Sequence, residues 1–133
     1  MSYLLDSNII IDFQKAKEPG STYFLKATED SSSISVISYA EVAIGIKNYP
    51  NALYKMKIFD DLINNFGIEI LGINKKEVVV FVDLKLQLKH NLIPDFDLLI
   101  AAAAIANNFT LVTGNTKHFS RIPNLKLYSP KSA

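Results

Sequence analysis

The chain has 133 residues, no cysteine, and 14 Lys or Arg against 13 Asp or Glu, which gives a formal net charge of +1. This length predicts one domain over residues 1–133, with a core large enough to need no covalent staple. The absence of cysteine excludes disulfides, thiolate metal sites and a cysteine nucleophile. The near-zero net charge provides no overall basic field that would attract nucleic acid.

The N-terminus lacks the features of a secretory signal peptide. It has no basic start, and Asp6 and Asp12 interrupt its apolar stretch. The longest apolar run is too short to cross a bilayer. We therefore expect a cytoplasmic protein with no membrane partner.

The first third of the chain predicts one strand and two short helices. Residues 3–5 are apolar and typical of a strand, and the Asp-Ser-Asn run at residues 6–8 favours a turn or a helix cap. Short helices are predicted over residues 9–13 and 21–29, separated by a polar break. The three serines at residues 31–33 indicate a loop.

The next segment predicts a strand followed directly by a helix. Residues 34–37 are rich in β-branched side chains and alternate in polarity, which predicts the second strand. Ser38 and Glu41 have the spacing of a capping box, with Ser38 as the N-cap of a helix that runs to about Asn48. This interpretation gives Glu41 a purely local role.

The middle of the chain predicts two more helices around a third strand. Residues 53–65 are amphipathic with a helical period, and residues 68–71 read as a strand. Residues 74–90 are ambiguous, because their β-branched and alternating apolar residues also fit a strand. The capping pair of Asn74 with Glu77 and the length of the segment favour a helix, which we predict.

The stretch from residue 94 to residue 108 predicts a buried helix with an acidic start. Every residue from 98 to 106 is apolar, so a helix here must be covered on most sides. Asp95 and Asp97 lie in its first turn, where the helix dipole stabilises negative charge. A polyvalent cation is a second explanation for acids placed so close to a core.

The order of the elements predicts an α/β fold. Residues 109–113 form a fourth strand candidate, residues 114–116 a turn, and residues 126–128 a fifth, edge strand before a polar tail. Strands separated by helices indicate a three-layer α/β/α fold with a central, mostly parallel β-sheet of four to five strands. Such a sheet binds ligands at the carboxyl ends of its strands.

Four polar residues are predicted to converge at that edge of the sheet: Asp6, Glu41, Asp97 and Asn115. Each also has a local explanation, since Asp6 and Asn115 suit turns or helix caps, Glu41 a capping box and Asp97 a first helical turn. The recurrence of acids at successive strand ends favours a site. Three carboxylates crowded there would repel one another and raise at least one pKa unless a cation neutralised them.

The chemistry of these side chains selects a class of cation. His90 and His118 are the only histidines and lack a paired metal-ligand spacing, and His90 is expected to be solvated. A ligand set made only of oxygen atoms suits Mg²⁺ or Mn²⁺, which bind through a few carboxylates and a substrate phosphate. The substrate class that fits such a site is a phosphodiester.

Four motifs resemble one family along the whole chain: LLDSN at the start, SYAEVAIG, FDLLIAAAA, and LVTGNTKHFSRIPNLKL near the end. In order and spacing they resemble the PIN-domain ribonucleases, and among them the VapC toxins of bacterial and archaeal toxin–antitoxin pairs. The resemblance implies a PIN-like fold and Mg²⁺- or Mn²⁺-dependent endonucleolytic cleavage of RNA. It also implies a homodimer and a cognate antitoxin whose C-terminal segment lies across the toxin.

The resemblance assigns roles to individual residues. Asp6, Glu41 and Asp97 fall on the acidic metal-binding positions, and Ser7 and Asn8 on the small hydroxyl residue and the asparagine that follow the first acid. Thr113 and Asn115 fall in the motif where many members place a fourth acid, and the acid often found three residues later is His118 here. Those departures support one metal ion and leave a second without its acids. Asp95 is an auxiliary acid or, alternatively, a helix N-cap.

Two surfaces have competing interpretations. The face of Tyr39, Val42 and Ile46, with the helix over residues 53–65, either forms the antitoxin groove or packs in the core. After Asp97 the chain has no acid but carries several basic side chains, which are Lys117, His118, Arg121, Lys126 and Lys131. They form either an ordinary solvated C-terminus or a surface where Lys117 and Arg121 contact the RNA backbone.

Three functional hypotheses follow. The leading one is an endoribonuclease in which Asp6, Glu41 and Asp97 hold the metal, and Thr113 and Asn115 orient water or phosphate. The alternative is a catalytically degenerate PIN domain that binds RNA or a protein partner without cutting. A DNA-directed nuclease of the same fold ranks third, because nothing here resembles the long insertions of flap endonucleases.

Overall fold

A computed structural model describes residues 1–90 and 92–128. The strands are β1 (Ser2–Leu5), β2 (Ser31–Ser35), β3 (Glu69–Leu71), β4 (Thr110–Val112) and β5 (Lys126–Leu127). The helices are α1 (Ser7–Gln14), α2 (Gly20–Thr28), α3 (Val36–Lys47), α4 (Ala52–Asn65), α5 (Lys75–Gln87), α6 (Asp95–Ala106) and α7 (Thr116–Phe119). In this part of the chain no helix has both the length and the apolar character needed to span a membrane.

The five strands form one sheet in the order β3-β2-β1-β4-β5, and every pair is parallel. This confirms the predicted α/β class, and β5 is the edge strand that the sequence predicted. The chain moves outward from β1 to β3 on one side and from β4 to β5 on the other. The carboxyl ends of β1 and β4 therefore flank the reversal point where open parallel sheets form a crevice.

Alternate residues of β1 enter two different cores. Leu4 packs with Leu111, α5 and α6 on one face of the sheet. Leu5 packs with Ile34, Val112 and helices α1, α2 and α4 on the other face. Because side chains alternate along a strand, an apolar strand of this kind must be covered on both sides. The predicted three-layer α/β/α arrangement is confirmed.

Helix α6 is buried as its composition predicts. Leu98 and all residues from Ile100 to Ala104 lie in the core. The run of alanines gives this helix a narrow profile, so α5 and the sheet can both pack closely against it. The resulting layer holds the first turn of α6 beside the carboxyl edge of the sheet.

The boundary between β2 and α3 differs from the prediction. The strand covers Ser31–Ser35, so the predicted loop at residues 31–33 is wrong, and the capping box of Ser38 with Glu41 is absent. Ser35 is the N-cap, and its Oγ accepts a hydrogen bond from the backbone N–H of Ile37 at 3.1 Å. The serines at residues 31–33 become strand residues because all three pair with β1, and Ser33 also pairs with β3. Tertiary pairing overrides their local preference for loops.

The remaining boundaries agree closely with the sequence patterns. Helix α5 begins after Asn74, whose backbone N–H donates to Glu77 Oε1 at 2.8 Å, as the capping pair predicted. Gly67 follows α4 in the left-handed region, with φ of 65°, which favours glycine. The predicted turn at residues 114–116 leads into the short α7, which the sequence analysis missed. The predicted polar tail, with Lys131, lies outside the described residues.

Candidate active site

Both carboxylate oxygens of Asp6 accept hydrogen bonds. It follows β1, is only 6% exposed, and caps α1 by accepting the backbone N–H of Ser7 on Oδ1 at 2.8 Å. Thr113, which follows β4, donates its hydroxyl to Asp6 Oδ2 at 2.7 Å. The local capping role is therefore real, and the same carboxylate joins the ends of two neighbouring strands.

Glu41 reaches the site from the middle of α3. Because the helix begins at Val36, capping does not account for this glutamate. The hydroxyl of Ser7 donates to Glu41 Oε1 at 3.5 Å, which ties the side chain to the start of α1. The structure thus removes the local explanation of Glu41 and brings it to the residue that follows Asp6.

Asp97 lies in the first turn of α6 and contacts α7, the short helix that follows β4. Its Oδ2 is 2.9 Å from His118 Nε2 on α7. The sequence analysis recorded His118 as the replacement of an acid and as one of the basic residues after Asp97, and gave it no role toward Asp97. Its position three residues after Asn115 was the one signal that could have drawn attention to it.

The acids act on one another electrostatically. Burial raises the pKa of Asp6 above its ordinary value and the charge of Asp97 raises it further, against the hydrogen bonds from Thr113 and Ser7. Burial also raises the pKa of Glu41, and the charges of Asp6 and then Asp97 add to this rise. Both shifts have the direction that mutual repulsion of carboxylates would produce, while the joint role of the three acids remains a prediction.

Asn8 and Asn115 have different surroundings in the structure. Asn8 Oδ1 accepts the backbone N–H of Gly114 at 3.4 Å, so it helps to hold the loop after β4. The backbone N–H of Asn115 donates to the hydroxyl of Thr113 at 3.0 Å, while the Asn115 side chain is exposed at the N-cap position of α7. Thr113 thus connects the Asn115 backbone to the Asp6 carboxylate.

Asp95 forms an ion pair outside the group of Asp6, Glu41 and Asp97. Lys85 Nζ on α5 lies 2.6 Å from Asp95 Oδ1, and both side chains are exposed. The N-cap position of α6 belongs to Pro94, so the alternative interpretation of Asp95 as the N-cap is wrong. Its role as an auxiliary acid remains a prediction.

The predicted basic residues Lys117 and Arg121 lie on and just after α7. Lys117 is exposed, and Arg121 donates Nε to the His118 carbonyl at 3.3 Å and Nη2 to His118 Nδ1 at 3.2 Å. His90 is exposed, as expected for a solvated residue. The histidine that matters for the geometry of the site is therefore His118.

The donor set fits Mg²⁺ or Mn²⁺ bound partly through water. Among residues 1–90 and 92–128, no three Asp, Glu or His side chains lie close enough to form a ready-made ligand set. Mg²⁺ keeps several of its waters and needs only one or two direct carboxylates, and the electrostatic repulsion described above is what a divalent cation would relieve. Asp6, Glu41 and Asp97 supply only oxygen donors, which are the ligands these ions prefer.

A groove begins at Glu41 and runs between α1, α3 and α4. It has a volume of about 390 Å³ and is lined mainly by Ile11, Lys15, Glu41, Val42, Ile46, Tyr49, Lys55 and Ile58. A shallower depression continues from it past Gln14 and Ile58 to Leu62. Tyr39 is not part of the lining, because it packs on Phe59 and donates its hydroxyl to Asp60 at 2.7 Å.

A parallel sheet between two layers of helices, with acids at its carboxyl edge, defines the class of protein. The model of the PIN domain family matches residues 3–125. The chain is 36% identical over 132 residues to Ribonuclease VapC2 of Rickettsia felis, with 96% of each chain covered. It is 32% identical to Ribonuclease VapC1 of Methanocaldococcus jannaschii, covering 94% of this chain and 85% of that one. The chain belongs to the PIN-domain family and, within it, to the VapC group.

Solved structures of this group have the same fold. VapBC2 from Rickettsia felis, bound to a DNA fragment from its promoter, matches with a TM-score of 0.84 and 31% identity over 96% of this chain and 98% of that one. VapBC-1 from nontypeable Haemophilus influenzae matches with a TM-score of 0.83 and 27% identity over 97% and 98%. A toxin–antitoxin complex from Klebsiella pneumoniae matches with a TM-score of 0.72 and 26% identity over 96% and 99%.

Proposed function

We propose that this protein is the toxin of a toxin–antitoxin pair and acts as a Mg²⁺- or Mn²⁺-dependent endoribonuclease. The observation that carries the proposal is the approach of Asp6, Glu41 and Asp97 at the carboxyl edge of the sheet, where burial and mutual repulsion raise two of their pKa values. Membership of the VapC group, whose relatives are named ribonucleases, supports RNA as the substrate.

The residues of the site have separate roles in this proposal. Asp6, Glu41 and Asp97 would hold the metal, which when bound activates a water molecule and neutralises charge on the scissile phosphate. Thr113 fixes the Asp6 carboxylate through its hydroxyl. Asn115 lies at the exposed rim of the site, where its amide oxygen is available to orient water or phosphate.

The flanking residues support RNA binding and the shape of the site. Ser7 connects Asp6 to Glu41, and Asn8 holds the loop after β4. Lys117 and Arg121 lie exposed on and beside α7, where their positive charge would hold the RNA backbone. Asp95 is not needed in the first coordination sphere, because Lys85 already pairs with it.

The test is cleavage of a mixed tRNA pool by protein freed of antitoxin, in Mg²⁺, in Mn²⁺ and in EDTA. We expect the parent protein to cut only with metal. Asp97→Asn should be at least ~100-fold slower, since removing one preorganised charge at a reacting centre has that scale. Asp83→Asn, on the exposed surface of α5, is the matched control and should cut like the parent.

The same assay separates the competing hypotheses. Equal cutting by the parent and by an Asp6→Ala/Asp97→Ala double variant would contradict the proposed site. RNA binding without turnover in either metal would favour the degenerate binding module. Matched RNA and DNA oligonucleotides test the third hypothesis, since faster cutting of DNA would contradict a ribonuclease.

The groove beside Glu41 is the surface we propose for the cognate antitoxin. Its lining is apolar at Ile11, Val42, Ile46 and Ile58, which suits the apolar side of an inserted segment. Because the groove starts at Glu41, a segment lying in it would also reach the acids. This extends the antitoxin proposal, which rests on membership of the VapC group, to a particular set of residues.

We also propose a single PIN domain over residues 1–133 that forms a homodimer and acts in the cytoplasm. The single-domain proposal is supported by the sheet, whose strands come from both ends of the chain. The homodimer is supported by an exposed apolar stripe on α5, formed by Val78, Val79, Val82 and Leu86. The cytoplasm is where an RNA substrate would be met.

A further inference from the structure

His118 on α7 links this short helix, which follows β4, to the Asp97 carboxylate on α6. Its Nε2 lies 2.9 Å from Asp97 Oδ2, and both side chains are largely shielded from solvent. The imidazole also packs edge-on against Phe119, which is buried in the core. The ring is therefore supported on one side while it contacts the acid.

Arg121 determines which nitrogen of His118 carries the proton. Arg121 Nη2 is 3.2 Å from His118 Nδ1, and its Nε donates to the His118 carbonyl at 3.3 Å. A guanidinium only donates hydrogen bonds, so Nδ1 must be the acceptor. The proton is then on Nε2, where it points to Asp97.

We propose that His118 is a positioning residue for Asp97, an inference that rests on the proposed function. Its Nε2–H binds Asp97 Oδ2, which leaves Oδ1 as the oxygen available to the divalent cation. Hydrogen-bonded partners of metal-binding carboxylates commonly orient them in this way, and their loss reduces metal affinity. His118 does this without adding negative charge to three carboxylates that already repel one another.

The consequence is a site with one divalent cation. The resemblance expects a further acid at this position, and this chain has a histidine there instead. Asp6, Glu41 and Asp97 are the proposed ligands, one Asp97 oxygen is bound to His118, and Asp95 is paired with Lys85, so these acids supply ligands for one ion. We therefore expect one Mn²⁺ per chain.

Calorimetric titration of the full, antitoxin-free chain with Mn²⁺ tests the positioning role. We expect His118→Ala to raise the Kd for Mn²⁺ about tenfold, the lower end of the effect of removing such a partner. His118→Gln keeps an N–H donor near the place of Nε2, and its Kd should return to within about twofold of the parent value. His90→Gln, at the exposed histidine, is the control.

Nitrogen-15 NMR of the metal-free protein tests the tautomer independently. The chain has two histidines, so the spectrum of His90→Gln contains only the His118 imidazole. We expect a proton on Nε2, where it faces Asp97. Arg121→Met removes the donor to Nδ1 and should introduce the tautomer with the proton on Nδ1.

The outcomes separate the two proposals. If the parent binds Mn²⁺ and His118→Ala binds it equally well, the positioning role is wrong and the proposed function stands. A parent that binds neither Mg²⁺ nor Mn²⁺ contradicts both. Thermal unfolding verifies that the variants are folded. If His118→Ala is not, the comparison of His118→Gln with the parent and the position of the ring proton decide. A ring without a proton on Nε2 contradicts the positioning role.

Discussion

The carboxylate of Asp6 shows how one residue combines a structural and a chemical role. Its two oxygens accept hydrogen bonds from Ser7 and Thr113, so its position is fixed by α1 and β4. Burial nevertheless raises its pKa, and the charge of Asp97 adds to the rise. A buried acid with a raised pKa lowers the stability of the folded state at neutral pH, which is typical of functional residues.

Asp6→Asn should therefore stabilise the metal-free protein at pH 7. Asparagine can still accept from Ser7, and its amide can donate to the Thr113 hydroxyl, which reverses the direction of that hydrogen bond, while the buried charge is lost. We expect a gain in the free energy of unfolding, measured by urea denaturation in EDTA. An unchanged or lower stability at pH 7 would contradict the electrostatic description.

The pH dependence of this gain follows from the direction of the pKa shift. Well below the ordinary aspartate range, Asp6 is protonated in both the folded and unfolded states, so the gain is absent. As pH rises, the unfolded state loses its proton first, and the penalty grows until the raised folded pKa is passed. The variant and the parent should thus converge in acid and diverge towards neutral pH.

At the scale of elements, Glu77 connects the start of α5 to the end of α6. It is 2% exposed, and its Oε1 accepts from the Asn74 backbone while Oε2 accepts from Asn107 Nδ2 at 3.0 Å. Burial alone would raise the pKa of Glu77, but these hydrogen bonds, with one from its own backbone, bring it below the ordinary value. This acid is structural and lies outside the candidate site.

Glu77→Ala should destabilise the fold by about 2 kcal/mol, because it removes a helix cap and leaves the Asn107 amide without this acceptor. Glu77→Gln keeps one acceptor and should lose roughly half as much. Urea denaturation at pH 7 measures both changes. Since the folded pKa is lowered, the loss should shrink as pH falls through the acidic range. A cost below ~0.5 kcal/mol would contradict this role.

The boundary between β2 and α3 shows where element prediction failed. Periodicity located the helix but moved its start to Ser38, because Val36 and Ile37 favour strands by their own chemistry. In the fold, Ser35 caps the helix, and the serines before it are paired in the sheet. The error mattered for the site, since it gave Glu41 a capping role that the structure does not support.

For the whole molecule, the surface of α5 carries a stripe of exposed apolar side chains outside the groove. Val78, Val79, Val82 and Leu86 lie within one face of the helix, and Leu86 is 66% exposed. The opposite face, with Leu84, packs against α6. An exposed stripe of this kind is typical of an association surface, and a second copy of the chain is the occupant we propose.

Leu86→Lys should weaken the proposed homodimer by at least ~10-fold, since it places a charge at the most exposed apolar side chain of the stripe. Light scattering during gel filtration of the antitoxin-free protein, over a range of concentrations, measures this. Leu53→Lys, at an exposed position on α4, is the matched control. A monomeric parent would contradict the homodimer. A Leu86→Lys variant that is as dimeric as the parent would show that the α5 stripe is not the interface.

The sequence alone determined the features that depend on neighbouring residues. The alternation of strands and helices, the buried α6 and the capping pair of α5 were predicted, because hydrophobic period and cap chemistry are local properties. The four motifs also located Asp6, Glu41 and Asp97, although their joint role remains a proposal.

Only the tertiary structure decided the contacts between distant segments. Thr113 and Asp6 are 107 positions apart, and His118 and Asp97 are 21 apart, so no local pattern encodes either hydrogen bond. The same applies to β2, whose serines at residues 31–33 are strand residues because they pair with β1, and Ser33 with β3 as well. Local chemistry selects the elements, whereas packing in three dimensions selects which polar atoms meet, and that selection shapes the candidate site.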